Sequence, residues 1–339
     1  MHHNQRMFWL SVLGFSSIIY MVVALSKFRP NNVPIFPPPE AEETSVCSTS
    51  TSTTTAGDTS PSIFFITPTY PRREQVAELT RLGQTLLLAG NVHWVVAEDS
   101  GTCSPLVAAL LSRMGLPYTH IISPQPNIYK EAKLKYNPRG VSSRRAGLSW
   151  VMEHQPEGVI YFGDDDNTYD IRLFKEIATT QKVSMFPVGF IGIQGVSSPI
   201  VVDGKVVGFS DDWFAQRKFP VDMAGFAVNL EFLRSRNKKA NRAMPYKAGY
   251  EEDVFLQNLN LTLDDIEPLA SDCTEVLVWH TKTVKEKKSS LKPLDEARAS
   301  KSNLGQLLEQ VSFTGLGEVV RGGRKVKTCY DMKKCKTSG

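Results

Sequence analysis

The chain has 339 residues, 41% of them hydrophobic and 22% charged. That balance supports a real core and leaves room for one large α/β domain or two smaller ones, against a wholly disordered chain. The formal charge of +4 is uneven: from Lys282 onward 14 Lys or Arg stand against 6 Asp or Glu, leaving the body at −4. The basic excess therefore belongs to the tail and gives no support to nucleic-acid binding.

In chain order, residues 1–6 read as a short cytosolic tail. Residues 7–26, MFWLSVLGFSSIIYMVVALS, carry no charge and are long enough to cross a bilayer as a helix. Their length favours a retained signal-anchor over a cleaved signal peptide, whose apolar core is shorter. Arg6 before the span and Lys27 and Arg29 after it leave the orientation open. Residues 27–62 are rich in Pro, Ser and Thr and poor in large apolar side chains, which predicts an extended, disordered stalk. The five cysteines (Cys47, Cys103, Cys273, Cys329, Cys335) show no zinc-type spacing. Cys47, alone in the stalk, is a candidate for an interchain bridge or an unpaired thiol. Asn260-Leu261-Thr262 is an N-glycosylation sequon.

From residue 63 short apolar runs alternate with amphipathic stretches. SIFFITPTY, HWVVAED, YTHIISP and GVIYFGDDD predict strands. REQVAELTRLGQTLLLA, SPLVAALLSRMG and VSSRRAGLSWVMEHQ predict helices between them. This β-α-β-α order predicts a doubly wound, mostly parallel sheet. Polar groups fall at strand ends: Thr67 to Tyr70 on the first, Glu98 and Asp99 on the second, Asp164 to Asp166 on the fourth. Ligands of open α/β sheets bind beyond those ends. Three consecutive carboxylates after an apolar strand repel one another, and a hard divalent cation such as Mg²⁺ or Mn²⁺ resolves the repulsion. No Gly-x-Gly-x-x-Gly follows the first strand, so a dinucleotide site is not expected. Arg139, Arg144 and Arg145 could instead hold a pyrophosphate through forked hydrogen bonds, with Arg145 the one best read as a solvated helix face.

Two metal chemistries fit DDDNT. As Asp-x-Asp-x-Thr it matches haloacid-dehalogenase-type phosphatases, with Asp164 as nucleophile, although that motif normally opens its domain. As an Asp-x-Asp site it matches nucleotide-sugar glycosyltransferases, which a signal-anchor and stalk suit better. Taken together, TPTY, PRG, FGDDDNTY, FPVDMAGFAVNL and VLVWHTKT resemble the animal β-1,3-glucuronosyltransferase family, over about residues 63–283. The resemblance implies a GT-A-like fold, with a transferase domain at 63–310 (donor half 63–167, acceptor half 168–310); the basic C-terminal extension at 311–339 is a departure, longer than the family normally has. It implies a homodimeric, single-pass type II Golgi membrane protein with its catalytic domain lumenal. The implied reaction moves glucuronate from UDP-glucuronate, with Mn²⁺, to the 3-hydroxyl of a terminal β-galactose, as in the proteoglycan linker. N-acetyllactosamine termini are the alternative acceptors, and a catalytically weak lumenal glycan-binding protein is the alternative of another class.

By the same resemblance, Tyr70, Asp99, Arg139 and Arg144 surround uridine and its diphosphate, and Asp164 and Asp165 meet the ribose and donor sugar. Asp166 binds the metal, and His280 contacts the diphosphate, with Lys282 where the family has Arg. Trp213, Arg217 and Asp222 act at the acceptor or donor sugar, though Trp213 read alone is a core residue and Arg217 a surface charge. Ser197 stands where the family carries an acidic residue that reaches the acceptor. In GYEEDVF three carboxylates compete to be the general base, and the resemblance selects Glu252; a plain acidic helix N-terminus is the alternative.

Overall fold

The structure is a computed structural model that describes residues 44–51, 63–131, 138–213, 216–236, 244–246, 249–284, 289–291, 297, 301–314 and 316–319. The expected membrane span at 7–26 lies outside these residues, as do Cys329 and Cys335. Among the described residues no helix is long and apolar enough to cross a membrane.

The first described element is a correction. β1 (Ser45–Ser50) lies inside the segment expected to be a disordered stalk and pairs antiparallel with β4 (Tyr118–Ile122). Cys47 forms an intrachain disulfide with Cys103, 56 residues away, so it is neither an interchain bridge nor a free thiol. The strand escapes a hydrophobicity reading because an edge strand can be held by backbone pairing and a crosslink without a large apolar face.

β2 (Ile63–Thr69), β3 (Val92–Glu98), β4 and β5 (Val159–Phe162) form the expected parallel block, in the order β4-β3-β2-β5. All seven residues of β2 and all four of β5 are buried, as strands covered on both faces require. Helix α1 (Gln75–Ala89) follows β2 and buries Gln75, Leu79, Leu82, Gly83 and Leu86, one stripe at helical spacing. α2 (Pro105–Met114) starts at Ser104, whose side chain accepts the Val107 N–H, and stops at Gly115 in the left-handed region. After the short α3 (Asn127–Glu131), α4 (Val141–His154) packs so closely on the sheet that a Cβ at Gly147 would lie 2.6 Å from Ile66 Cγ2. The chain lays β3 and β4 on one side of β2, then crosses back to lay β5 on the other. The C-terminal ends of β2 and β5 thus flank a topological switch point.

Beyond β5 the sheet is mixed rather than mostly parallel. β6 (Thr168–Tyr169) and α5 (Arg172–Ile177) lead to β7 (Val183–Met185), β8 (Val188–Gly189), β9 (Val196–Val202), β10 (Lys205–Ser210) and β11 (Phe226–Asn229). α6 (Leu230–Arg236), α7 (Glu251–Asn258), β12 (Ile266–Pro268) and β13 (Val278–Trp279) follow. β11 runs antiparallel to both β5 and β7, completing an eight-stranded sheet β1-β4-β3-β2-β5-β11-β7-β12. A second sheet, β10-β9-β8-β13-β6, pairs Trp279 with Thr168 and so brings residues 280–283 beside the acidic triplet. The described residues fall in one compact unit. α8 (Asn303–Phe313) runs across the expected boundary at 310/311.

Candidate active site

The site starts from the end of β5. Gly163 follows Phe162, and a Cβ there would lie 2.0 Å from Phe65 Cζ, so only glycine lets the chain turn over the β2 ring. Asp164, Asp165 and Asp166 then diverge. Asp164 takes a hydrogen bond from Arg144 Nη2 at 2.5 Å, while its carbonyl accepts from Tyr169 Oη at 2.9 Å. Asp165 is buried under an ion pair with Arg72 at 2.8 Å and a 2.6 Å hydrogen bond from Thr69 Oγ1. Burial raises its carboxyl and is opposed by Arg72 and Thr69. Asp166 accepts the Thr283 N–H at 3.2 Å, and its carbonyl accepts from Thr281 Oγ1 and from Arg81 Nη2. Burial raises the Asp166 carboxyl as well, with Thr283 opposing.

A cleft of about 410 Å³ opens over these strand ends, lined among others by Tyr70, Asp99, Arg139, Arg144 and Asp166. Of the expected donor-side residues, Tyr70, Asp99, Arg139, Arg144, Asp164, Asp165 and Asp166 line it, whereas His280 and Lys282 are not among its lining residues. Asp99 accepts the Gln125 N–H at 2.7 Å, which fixes its carboxylate at the rim. Arg72, Gln75 and Thr283 were not anticipated. Arg72 stacks over Tyr70 at 4.6 Å while pairing Asp165, and Gln75 Nε2 donates to Thr69 Oγ1 and Glu98 Oε1. Their signal in the sequence is position alone: Arg72 and Gln75 lie in the turn and at the first residue of α1 directly after TPTY, and Thr283 closes VLVWHTKT.

The cation expectation can be tested on the carboxylates themselves. Asp165 is spent on Arg72 and Thr69 and Asp164 on Arg144, while Asp166 faces the cleft with one oxygen held by a backbone N–H. Among the described residues no three protein ligands gather into a cage. The donor set therefore fits a hard divalent ion held by one carboxylate plus oxygens of a bound phosphate ligand and water, the usual manner of Mg²⁺-like ions.

A second cluster lies beside the cleft, joined to it by Arg144, whose charge is felt by Asp164 and by Glu251 and Glu252. His280 Nδ1 stands 3.3 Å from Asp222 Oδ2, and that carboxylate raises the imidazole's affinity for a proton. Burial pushes Asp222 up, but His280, the Ala224 N–H and Arg144 together bring it below the usual range. Lys282 is exposed beside His280.

The three candidate bases separate cleanly. Asp253 is buried and committed, accepting the Phe219 N–H and Gln257 Nε2 at 2.8 Å each. Glu251 is buried and turned back to the Tyr250 N–H at 3.0 Å. Glu252 turns to its own backbone N–H, and Arg217 Nη1 stands off at 3.5 Å. Burial, then the neighbouring Glu251 charge, pushes the Glu252 carboxyl up to about 8.

Four expectations change on the acceptor side and on α4. Trp213 is 49% exposed rather than core, its indole against Gly249, where a Cβ would sit 3.2 Å from the ring. Arg217 is no surface charge: its side chain is 4% exposed and paired with Asp211. Ser197 is buried and donates to Asp211 Oδ2 at 2.5 Å, so it does not stand at a surface where an acceptor hydroxyl would meet it. Arg145 is no solvated face; it is buried, donates to the Met244 carbonyl at 2.9 Å and packs against Tyr246. Asn260 is exposed at φ 51°.

Against known proteins, the profile described as Glycosyltransferase family 43 matches residues 82–284. The chain is 51% identical over 257 residues to Drosophila melanogaster galactosylgalactosylxylosylprotein 3-beta-glucuronosyltransferase S, covering 76% of this chain and 62% of that protein. It is 50% identical over 246 residues to the Drosophila P protein of the same name, covering 72% of this chain and 50% of the other. To the Rattus norvegicus protein 2 it is 46% identical over 230 residues, 66% of this chain and 70% of the relative. The chain thus spans between half and two thirds of the length of the two fly relatives.

Proposed function

The chain belongs to glycosyltransferase family 43, and from that membership we propose an inverting transferase that moves glucuronate from UDP-glucuronate to the 3-hydroxyl of a terminal β-galactose, as in proteoglycan-linker assembly. The observation that carries the reading is the pairing of a cleft at the switch point, lined by both arginines and carboxylates, with a buried carboxylate of raised proton affinity, Glu252, joined to it through Arg144. On this reading the fold is the GT-A arrangement, with donor at the cleft and acceptor at Trp213.

Inversion needs one step. The acceptor oxygen forms its bond to the anomeric carbon opposite the diphosphate, the carbon–phosphate oxygen bond breaks with its electrons on UDP, and the hydroxyl proton passes to Glu252. A carboxyl with a raised proton affinity is the stronger base for that proton in its ionised fraction, which grows as pH rises toward about 8. Arg139 and Arg144 offer forked donors to the diphosphate. His280, whose proton affinity Asp222 raises, adds a donor beside them. A divalent cation on Asp166 would supply further counter-charge to the leaving diphosphate. Asp99 suits a nucleoside hydroxyl or base edge. The phosphatase alternative asks Asp164 to attack, yet its carboxylate is engaged by Arg144.

The proposal extends to a homodimeric, lumenal type II protein of the Golgi held by residues 7–26, with Asn260 as a glycan acceptor. The apolar run, the sequon and the family likeness support these readings. The test incubates the detergent-solubilised full chain with UDP-glucuronate, Mn²⁺ and a panel of digalactoside and N-acetyllactosamine acceptors. UDP release with a glucuronylated digalactoside supports the reading. UDP-glucuronate binding without product from any galactoside would instead support the glycan-binding alternative.

A further inference from the structure

Asp211, directly after β10, is buried and saturated. Its Oδ1 accepts the Trp213 N–H at 2.7 Å and Arg217 Nη2 at 2.9 Å, and its Oδ2 accepts the Ser197 hydroxyl at 2.5 Å. Arg217 in turn donates through Nε to the Trp213 carbonyl at 2.8 Å and through Nη1 to the Val221 carbonyl at 3.2 Å. A guanidinium has five N–H donors in a rigid plane. Held this way, it leaves Nη1 at 3.5 Å from Glu252 Oε1, beyond the roughly 2.7–2.9 Å of a charge-assisted hydrogen bond.

That standoff has a chemical consequence. An arginine that closed on Glu252 would occupy the lone pairs a base must offer and would favour its ionised form. Asp211 prevents the first by gripping the guanidinium and offsets the second with its own charge. The charges facing Glu252 are Glu251 on α7, Asp222 before β11, Arg144 from α4 and Arg217. Arg144 is shared with Asp164, which leaves Arg217 as the cation whose hold Asp211 controls.

We propose that Asp211 is a positioning residue for the transfer, holding Arg217 off Glu252 and setting Trp213 at the acceptor, with Ser197 fixing the Asp211 carboxylate. The inference rests on the reading of Glu252 as the base. The experiment measures kcat/KM against pH, UDP affinity and thermal melting for the full chain with Asp211→Asn and Ser197→Ala. Asp211→Asn should lower the acid limb of kcat/KM by about one pH unit, because Arg217, no longer held by a carboxylate, can close on Glu252 and favour its ionised form. It should also cut kcat about tenfold or more and raise the acceptor KM, with UDP affinity unchanged. Ser197→Ala should shift the limb the same way by less, with a near-normal melt. An acid limb and kcat at wild-type values in folded Asp211→Asn would overturn the inference. Should that variant not fold, an unmoved limb in Ser197→Ala overturns it. Glu252→Gln separates the two ideas: retained turnover defeats the base assignment, whereas a dead Glu252→Gln beside an unmoved Asp211→Asn limb defeats only the role of Asp211.

Discussion

Replacing Glu252 by Gln should abolish turnover and stabilise the fold. An ordinary glutamate titrates at 4.5, and burial with Glu251 alongside moves Glu252 up to about 8. The folded pKa is raised, so near neutral pH the native state keeps a proton that the unfolded chain has released. Its stabilising effect is complete below about 4.5 and is lost as pH rises through about 8. At about 1.36 kcal/mol per unit, the loss accumulated by pH 7 has an upper bound of about 3 kcal/mol. The side chain is 13% exposed and forfeits its 3.5 Å contact with Arg217, so a net gain of about 1–2 kcal/mol is expected for the amide. For a domain of this size that raises Tm by roughly 2–8 °C. Thermal melts of both proteins across the acid-to-alkaline range measure it, and the gap should be near zero at the acid end and widen toward pH 8. A variant that melts below wild type at neutral pH, or a gap independent of pH, refutes the electrostatic argument. The transfer rate should fall about a hundredfold to ten-thousandfold.

Asp166→Ala should abolish Mn²⁺-dependent UDP binding in calorimetry while leaving the melt intact, because within the triplet Asp164 and Asp165 are paired with Arg144 and Arg72 while Asp166 is held by a backbone N–H. Gly163→Ala forces a methyl against the Phe65 ring and should cost about 1–3 kcal/mol, with weaker UDP affinity as the triplet is displaced; a normal melt would contradict the contact. Cys47→Ser releases a 56-residue crosslink and should cost up to about 4 kcal/mol of stability. Non-reducing gels should show the Cys47–Cys103 bond to be intrachain.

The parallel block was legible because β2 to β5 are runs of apolar residues buried on both faces, alternating with helical stripes that a periodicity reading finds. The two-residue strands β6, β8 and β13 were not, since only tertiary pairing makes them strands. In GYEEDVF composition could not rank three neighbouring carboxylates; the family likeness chose Glu252, and the structure shows Asp253 and Glu251 accepting the N–H groups of Phe219 and Tyr250. Arg145 and Arg217 were misjudged when read alone for one cause. Charge suggests solvent, but a buried carbonyl of Met244 and a buried carboxylate of Asp211 replace the water. Ser197 was placed at the acceptor by likeness, although its hydroxyl is turned inward to a residue that no motif marked.

β1 also changes what the sheet presents to other chains. Without it, β4 (YTHII) would expose a row of unpaired N–H and C=O groups on an apolar strand, a template for edge-to-edge association. With it, the outermost strand is SVCSTS, mostly exposed and hydroxyl-rich, and crosslinked through Cys103 to the loop before α2. Expression in a reducing cytosol removes the pin and should uncover the apolar edge, giving aggregates, whereas a secreting host that oxidises the pair should give soluble protein.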